Sequence, residues 1–125
     1  MGEMVDMNNL TINNEITNKI YEIRGVQVML DSDLAILYNC KNGTKDINKA
    51  VKRNIERFPD NFYFQLTEEE IISISRFQNG TLNGRGHNIK YLPHVFTEEG
   101  VAMLSSVLRT DVAAQVSVNI MNAFV

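Results

Sequence analysis

Lysine side chains recur at three- and four-residue spacing in the segment 45–57. If this segment is helical, Lys45, Lys49 and Lys52 share one face, with Arg53 beside them. Residues three and four apart on a helix project together, so such a row can reach the phosphates and base edges of a nucleic acid. The spacing therefore predicts an anion-binding face. A basic face that is merely solvated is the alternative.

A second group of basic residues stands in and beside a glycine-rich segment, residues 78–88, which contains two Asn-Gly steps. The segment lacks the spacing and the Gly-Lys-Ser/Thr ending of a nucleotide-binding loop. Its composition is typical of a flexible loop or hairpin tip, which would resemble a wing that touches a nucleic-acid backbone. An ordinary charged surface loop is the alternative. The basic residues here are Arg85, His87 and Lys90.

Residues suited to metal binding or acid–base catalysis are dispersed. His87 and His94 are seven positions apart and Cys40 is remote, so none has a partner at metal-ligand spacing. Asp31 and Asp33 stand beside a predicted helix start, where capping and compensation of the helix dipole explain them better than a catalytic pair does. We therefore expect no enzyme, no metal or other cofactor and no small-molecule substrate.

Charge is unevenly distributed along the 125 residues, which carry 12 Lys and Arg against 15 Asp and Glu. Residues 1–40 hold 2 basic and 6 acidic groups, whereas residues 41–57 hold 6 basic and 2 acidic groups. The net charge of −3 argues against a histone-like protein that is basic all round. It permits a localised anion-binding surface.

No segment suits a membrane span or a signal peptide. The longest apolar-rich run, residues 112–125, is interrupted by four polar side chains, and the first 20 residues contain three acids without a basic head. Cys40 has no second cysteine with which to form an internal disulfide. We expect a cytoplasmic protein that does not enter membranes.

The elements that must position the basic residues follow from apolar spacing. Residues 16–30 predict a hairpin with its turn at Arg24-Gly25. A short helix from residue 31 or 32 to Tyr38 and a second helix, capped by Thr44 and ending at Phe58, follow. This pair resembles a helix-turn-helix whose second helix is basic. The buried stripe of that helix is predicted to be Ile47, Val51, Ile55 and Phe58.

Residues 61–66 predict a strand that buries Phe62 and Phe64 and exposes Tyr63. Thr67 and Glu70 then form a capping box at the start of a helix. Residues 89–96 predict a strand in which Pro93 favours an edge position or a bulge. The fold class is α+β: a small helical domain with a helix-turn-helix-like pair, short antiparallel strands and a β-hairpin wing-like loop.

Two helices are predicted at the end of the chain. Thr97 caps one that runs to Leu108, and Asp111 opens the other. The apolar stripe of the last helix either packs in the core, which we favour, or forms a homodimer interface. Residues 1–15 are predicted to be a flexible tail and residues 16–125 one domain, with a C-terminal region of a longer protein absent. The stripe comprises Val112, Val116, Ile120, Met121 and Phe124.

Three blocks of the sequence resemble a known family. The first block, residues 23–38, contains Ile-Arg-Gly and Val-Met-Leu-Asp-Ser-Asp-Leu-Ala. The second block, residues 50–67, contains Ala-Val-Lys-Arg-Asn-Ile-Glu-Arg-Phe-Pro. The third block, residues 91–108, contains Tyr-Leu-Pro and Phe-Thr-Glu-Glu-Gly-Val-Ala-Met-Leu. Together they are similar to the ORF-six-N domain, a phage and prophage module grouped with the KilA-N and Bro-N domains. The resemblance covers about residues 16–125 and implies a bacterial DNA-binding module.

Basic spacing and family resemblance together predict the DNA-binding domain of a phage- or prophage-derived transcriptional regulator, with the helix 45–57 presented to double-stranded DNA. The alternative is an antirepressor-type module that binds a repressor or another acidic protein. The residues predicted to contact DNA are Lys41, Lys45, Lys49, Lys52, Arg53, Arg57, Arg76, Arg85, His87 and Lys90.

Overall fold

The computed structural model describes residues 15–77, 91–108, 110 and 112–124, with the backbone alone at residues 75–77. Its strands form one antiparallel sheet in the order β1-β2-β4-β3. The predicted edge position of the strand in residues 89–96 is wrong, because that strand covers residues 94–96 only and pairs with a neighbour on each side. The predicted α+β class is confirmed, whereas the wing-like loop lies outside the described residues. The elements are β1 (Ile20–Ile23), β2 (Val26–Leu30), α1 (Asp31–Leu37), α2 (Thr44–Arg53), a 3₁₀ turn (Ile55–Arg57), β3 (Tyr63–Gln65), α3 (Glu68–Phe77), β4 (His94–Phe96), α4 (Glu98–Val107) and α5 (Ala113–Ala123).

The predicted hairpin is confirmed, with a two-residue turn between β1 and β2. Arg24 and Gly25 both have positive φ, 57° and 77°, as the tight turns that match strand twist require. The Arg24 guanidinium is held by Glu70, at 2.8 and 3.1 Å, and lies 4.1 Å from the centre of the Phe64 ring. The hairpin is predicted to start at residue 16, but residues 15–17 form a helical turn and the first strand begins at Ile20.

Both faces of the sheet are covered. Met29 and Phe96 belong to a core shared with α1, α2, α4 and α5, whereas their neighbours Val28 and Val95 pack with α3. Alternate strand residues point to opposite faces, so α2 and α3 lie on opposite sides of the sheet. The described residues therefore form a larger helical layer, the sheet, and α3 on the opposite face of the sheet.

The coverage of both faces makes the prediction of a buried and an exposed face for this strand wrong, because Phe62, Tyr63 and Phe64 are all half-buried. Tyr63 does not face solvent. Its ring is 4.9 Å from that of Phe96 and 5.9 Å from that of Phe58, in the larger core. Phe64, on the other face, packs with the smaller core. When both faces of a strand are covered, neither face needs to be polar. The apolar residues on one face therefore do not show that the residues on the other face are exposed.

Helix α2 is shorter than predicted. It ends at Arg53, and the side-chain amide of Asn54 donates to the carbonyl of Ala50 at 2.8 Å. The 3₁₀ turn that follows rotates Ile55 outward, and its side chain is 53% exposed instead of buried. Ile47, Val51 and Phe58 are buried as predicted. These three side chains pack α2 against α1 and α4.

The turn between α1 and α2 requires two unusual backbone conformations. Asn39 has φ 57°, and Gly43, which immediately precedes α2, has φ 65° and ψ −143°. The second conformation is essentially restricted to glycine. Gly43 occupies the cap position without a side-chain hydrogen bond, so the prediction that Thr44 caps the helix is wrong and Thr44 is its first residue.

Two other predicted helix starts are confirmed. Thr67 and Glu70 exchange hydrogen bonds at the start of α3, and the Thr97 hydroxyl accepts from the Gly100 amide at the start of α4. In the last helix Ile120 is buried as predicted, and Val116, Met121 and Phe124 are partly buried against the larger core, whereas Val112 is 44% exposed. Ala113 and Ser117 are buried as well. Asp111 lies outside the described residues. No helix in the described part of the chain has the length and apolar character needed to cross a membrane.

Candidate functional site

The outer face of α2 carries a row of exposed cations. Lys45, Lys49, Lys52 and Arg53 are all exposed, whereas Ile47 and Val51 on the inner face are 0% and 1% exposed. Full burial of two branched aliphatic side chains contributes about 1.5–3 kcal/mol each, which fixes the rotation of the helix about its axis. The orientation predicted from sequence is confirmed.

In the part of the chain that the structure describes, these cations form no salt bridge, although Lys49 is near enough to Asp46 to lower the pKa of that carboxyl. Two cations elsewhere are engaged, because Lys19 lies 3.9 Å from Asp33 and Arg24 pairs with Glu70. The charges on α2 are therefore available to an external anion.

One groove runs along this face and includes an aromatic ring. Its volume is about 320 Å³, and the Tyr91 side chain in it is 52% exposed. Lysines with an aromatic ring between them can meet phosphates and the flat or apolar parts of a nucleotide at the same time. The groove is lined by Thr44, Lys45, Asn48, Lys49, Lys52 and Tyr91.

A second groove lies between the end of α2 and the end of α4, with a volume of about 680 Å³. Lys41, Lys49, Arg53 and Arg57 line it, together with neutral residues such as Ser106 and Thr110. Asp46 is the acidic residue in this lining. Lys49 lines both grooves and thus stands at the centre of the basic surface.

The carboxylate of Asp31 sits beneath the first groove and is 0% exposed. Its Oδ2 accepts hydrogen bonds from the Tyr91 hydroxyl at 2.6 Å, the His94 amide at 3.1 Å and the Asn48 side-chain amide at 3.4 Å. The prediction that Asp31 serves as a helix cap is wrong, because Leu30 occupies the cap position and no side chain caps α1. Asp31 instead joins α1, α2 and the segment before β4.

The position of Asp31 directly after the buried run Val28–Leu30 is the one sequence signal for its burial. Its partners are 17 and 60 residues away along the chain, so residue spacing gives no indication of them. A buried carboxylate is stable when polar groups surround it. Here the three donors all bind Oδ2, and the buried Oδ1 has no hydrogen-bond partner among the described residues.

Ionisation in this network is shifted by burial. Burial and the Asp31 carboxylate raise the pKa of Tyr91 to about 12, and the same two causes raise that of Tyr63 to about 12. Burial lowers the pKa of His94, against the opposing effect of Asp31. The His94 ring stacks on Tyr63 at 4.8 Å. At neutral pH both phenols therefore keep their protons and His94 is uncharged.

The structure brings six of the predicted DNA-contacting residues onto one side of the molecule: Lys41, Lys45, Lys49, Lys52, Arg53 and Arg57. Arg76 belongs to α3, on the opposite side of the sheet. Arg85, His87 and Lys90 lie outside the described residues. The described part of the chain contains no group of three His, Cys, Asp or Glu residues placed to hold a metal ion.

Comparison with known proteins gives one match. The model of the ORF6N domain matches residues 18–107, which extend from just before β1 to the end of α4. The hairpin, α1, α2 and the buried Asp31 network all lie within the matched part. No curated protein and no solved structure matches the chain.

Proposed function

Because the chain belongs to the ORF6N domain family, a phage-associated family, we propose that it is the DNA-binding domain of a phage- or prophage-derived transcriptional regulator. Helix α2 presents its outer face to double-stranded DNA. The observation that carries this proposal is the row Lys45, Lys49 and Lys52, which is exposed and forms no salt bridge with a described residue, on a helix whose other face is buried.

The dimensions of α2 suit a duplex. Its ten residues make a rod about 15 Å long, and a major groove about 12 Å wide admits an α-helix. The grooves on its two sides place Lys45 and Lys52 toward one flank and Arg53 and Arg57 toward the other. Cations on both flanks can bind the phosphates of the two strands that border the groove.

Electrostatics also supports DNA as the ligand. The chain carries a net charge of −3, yet residues 41–57 hold 6 basic and 2 acidic groups. A protein that is acidic overall is repelled by DNA in most orientations and attracted through its basic patch. The charge distribution therefore orients the encounter so that α2 meets the duplex first.

No reaction is part of this proposal. Asp31, a fully buried carboxylate, is shielded from solvent and accepts three hydrogen bonds from the protein itself. A general acid or base must reach a substrate proton. Asp31 is accordingly assigned a structural role, and the domain is proposed to act by binding alone.

The test compares two single lysine replacements. Lys49→Ala removes the charge shared by both grooves, and Lys19→Ala removes a charge that lies beside Asp33 instead. With duplexes selected from a random pool, Lys49→Ala should weaken binding and reduce the salt slope by about 1, because one phosphate contact is lost. Lys19→Ala should bind as the wild type does.

Two results would contradict the proposal. One is failure of the wild-type chain to bind any duplex at low salt. The other is an equal loss of affinity in Lys49→Ala and Lys19→Ala, which would show that net charge matters and the α2 face does not.

A further inference from the structure

Tyr91 has the reverse of the usual orientation of a tyrosine. The residue is 52% exposed, while its hydroxyl donates to the fully buried carboxylate of Asp31 at 2.6 Å. Tyrosine ordinarily buries its apolar ring and keeps its polar end near water. Here the polar end is anchored inside and the ring is presented to solvent.

The anchor involves α2 itself. The side-chain amide of Asn48 donates to the Tyr91 hydroxyl at 3.2 Å and to the carbonyl of Thr44 at 3.3 Å. Asn48 stands on α2 between Lys45 and Lys52, so the hydroxyl of Tyr91 is fixed directly against the basic helix. The His94 amide, bound to the same Asp31 oxygen, holds the backbone three residues further along the chain.

Several hydrogen bonds thus fix one exposed ring. Isolated exposed apolar side chains are common and need no explanation. An exposed ring whose hydroxyl is held by a buried carboxylate and an amide is different, because its position is set before any ligand arrives. A contact that is already immobilised loses little conformational entropy on binding.

We infer that Tyr91 is a DNA contact that packs its ring against the deoxyribose and base edges of the strand whose phosphates the α2 lysines bind. Asp31 is the positioning residue that holds it. The inference rests on the proposed function and extends it: the DNA-facing surface is helix α2 together with Tyr91. Phosphate contacts fix orientation but carry no base information, whereas an aromatic contact to sugars and bases supplies apolar area beside them.

The first test is Tyr91→Ala, with Val118→Ala as the matched control. Val118 is also about half exposed, at 54%, but stands on α5. Tyr91→Ala should reduce affinity for a selected duplex about tenfold, with the salt slope unchanged because no charge is removed. Val118→Ala should bind as the wild type does.

Binding by Lys49→Ala and Tyr91→Ala distinguishes the DNA-binding function from the role of Tyr91. If Lys49→Ala weakens binding and Tyr91→Ala does not, the DNA-binding function stands and the role of Tyr91 is wrong. If neither change affects binding, the proposed DNA face itself is wrong, and the inference fails with it. If Tyr91→Ala lowers affinity with a parallel loss in the salt slope, the effect is electrostatic and contradicts an apolar contact between the ring and the deoxyribose or base edges.

A second measurement applies to the wild-type fold, should Tyr91→Ala unfold. The chain has four tyrosines, and incorporation of 3-fluorotyrosine gives each a fluorine resonance, with that of Tyr91 assigned by Tyr91→Phe. Addition of the selected duplex should shift the Tyr91 resonance and leave that of Tyr38, which is 0% exposed, in place. A Tyr91 resonance that does not move at saturating DNA would overturn the inference.

The role of Asp31 is tested by Asp31→Asn in the same labelled protein. Loss of the charged acceptor should broaden or shift the Tyr91 resonance before DNA is added and should weaken DNA binding with no change in the salt slope. A variant with an unaltered Tyr91 resonance, or with the full wild-type affinity, would show that Asp31 does not position the ring.

Discussion

Asn42 holds the carboxylate of Asp46 at the start of α2. The backbone amide of Asn42 donates to Oδ2 at 3.0 Å, and its side-chain amide donates to Oδ1 at 3.2 Å. These hydrogen bonds lower the pKa of Asp46, with a smaller contribution from Lys49 and Lys41. The carboxylate is therefore ionised at neutral pH and places a negative charge in a groove otherwise lined by cations and neutral groups.

Removal of that charge should strengthen DNA binding. Asp46→Asn keeps the shape of the side chain and eliminates its repulsion of phosphate, and we expect affinity to rise about two- to fivefold at low salt, in the range of exposed charge interactions. Glu22→Gln, on the exposed part of β1, is the control for net charge and should have a smaller effect. A band-shift titration in which Asp46→Asn binds no better than Glu22→Gln would mean that DNA does not approach this groove.

Gly100 lets α4 pack closely against the segment before β3. A Cβ built at this position would lie 2.0 Å from the carbonyl oxygen of Phe62, a backbone atom that also accepts the Thr97 amide at 3.0 Å. Gly100→Ala should therefore cost about 3 kcal/mol or more in the free energy of unfolding, because backbone must move.

Gly25→Ala is the matched comparison for Gly100→Ala. Gly25 has φ +77° but open space around its Cβ position, so the cost there is backbone strain of about 1 kcal/mol. Urea denaturation of the two variants measures the difference. Equal midpoints would show that the close approach of α4 is absent in solution.

His94 should make stability depend on pH in a narrow window. Its pKa in the folded protein is below the usual 6.5 because the ring is buried. As pH falls below about 6.5 the unfolded chain takes up a proton that the folded protein binds less readily, so the free energy of unfolding decreases until the folded-state pKa is passed.

The test of this window is urea unfolding of the wild type and His94→Gln at pH 7.5, 6.5 and 5.5. The wild type should lose more stability than His94→Gln between the first and the last. Asp46 and Glu70 have pKa values lowered below their usual 3.8 and 4.5, so they titrate outside this range. Parallel pH profiles for the two proteins would contradict the assignment to His94.

Local interactions explain which parts of the fold the sequence predicts. The turn at Arg24-Gly25 and the capping box of Thr67 and Glu70 are each formed by neighbours in the chain, and both are confirmed. The end of α2 depends on the Asn54 amide and on the 3₁₀ turn that follows, which apolar spacing does not indicate. The prediction that Tyr63 is exposed is wrong because one strand does not indicate that the face opposite Phe64 packs against the larger helical core.

For the site, too, the sequence predicts the features that depend on local spacing and misses those that depend on distant residues. Apolar spacing predicts which lysines of α2 face outward, because Ile47 and Val51 fix the rotation of the helix. The anchoring of Tyr91 depends on partners 43 and 60 residues away, and only the folded chain shows it. That the lysines bind DNA, that α5 forms a homodimer and that residues 16–125 act as one domain stay predictions.

The salt dependence of DNA binding shows whether the lysines of α2 contact phosphates. With a selected duplex, the logarithm of the binding constant should fall linearly with the logarithm of salt concentration, and simultaneous Lys45→Ala, Lys49→Ala and Lys52→Ala should reduce that slope by about 2 to 3, because each phosphate contact contributes about 0.9. Circular dichroism should be unchanged, since the three side chains are exposed. A folded triple variant with the wild-type slope and affinity would contradict the assignment of this face to DNA.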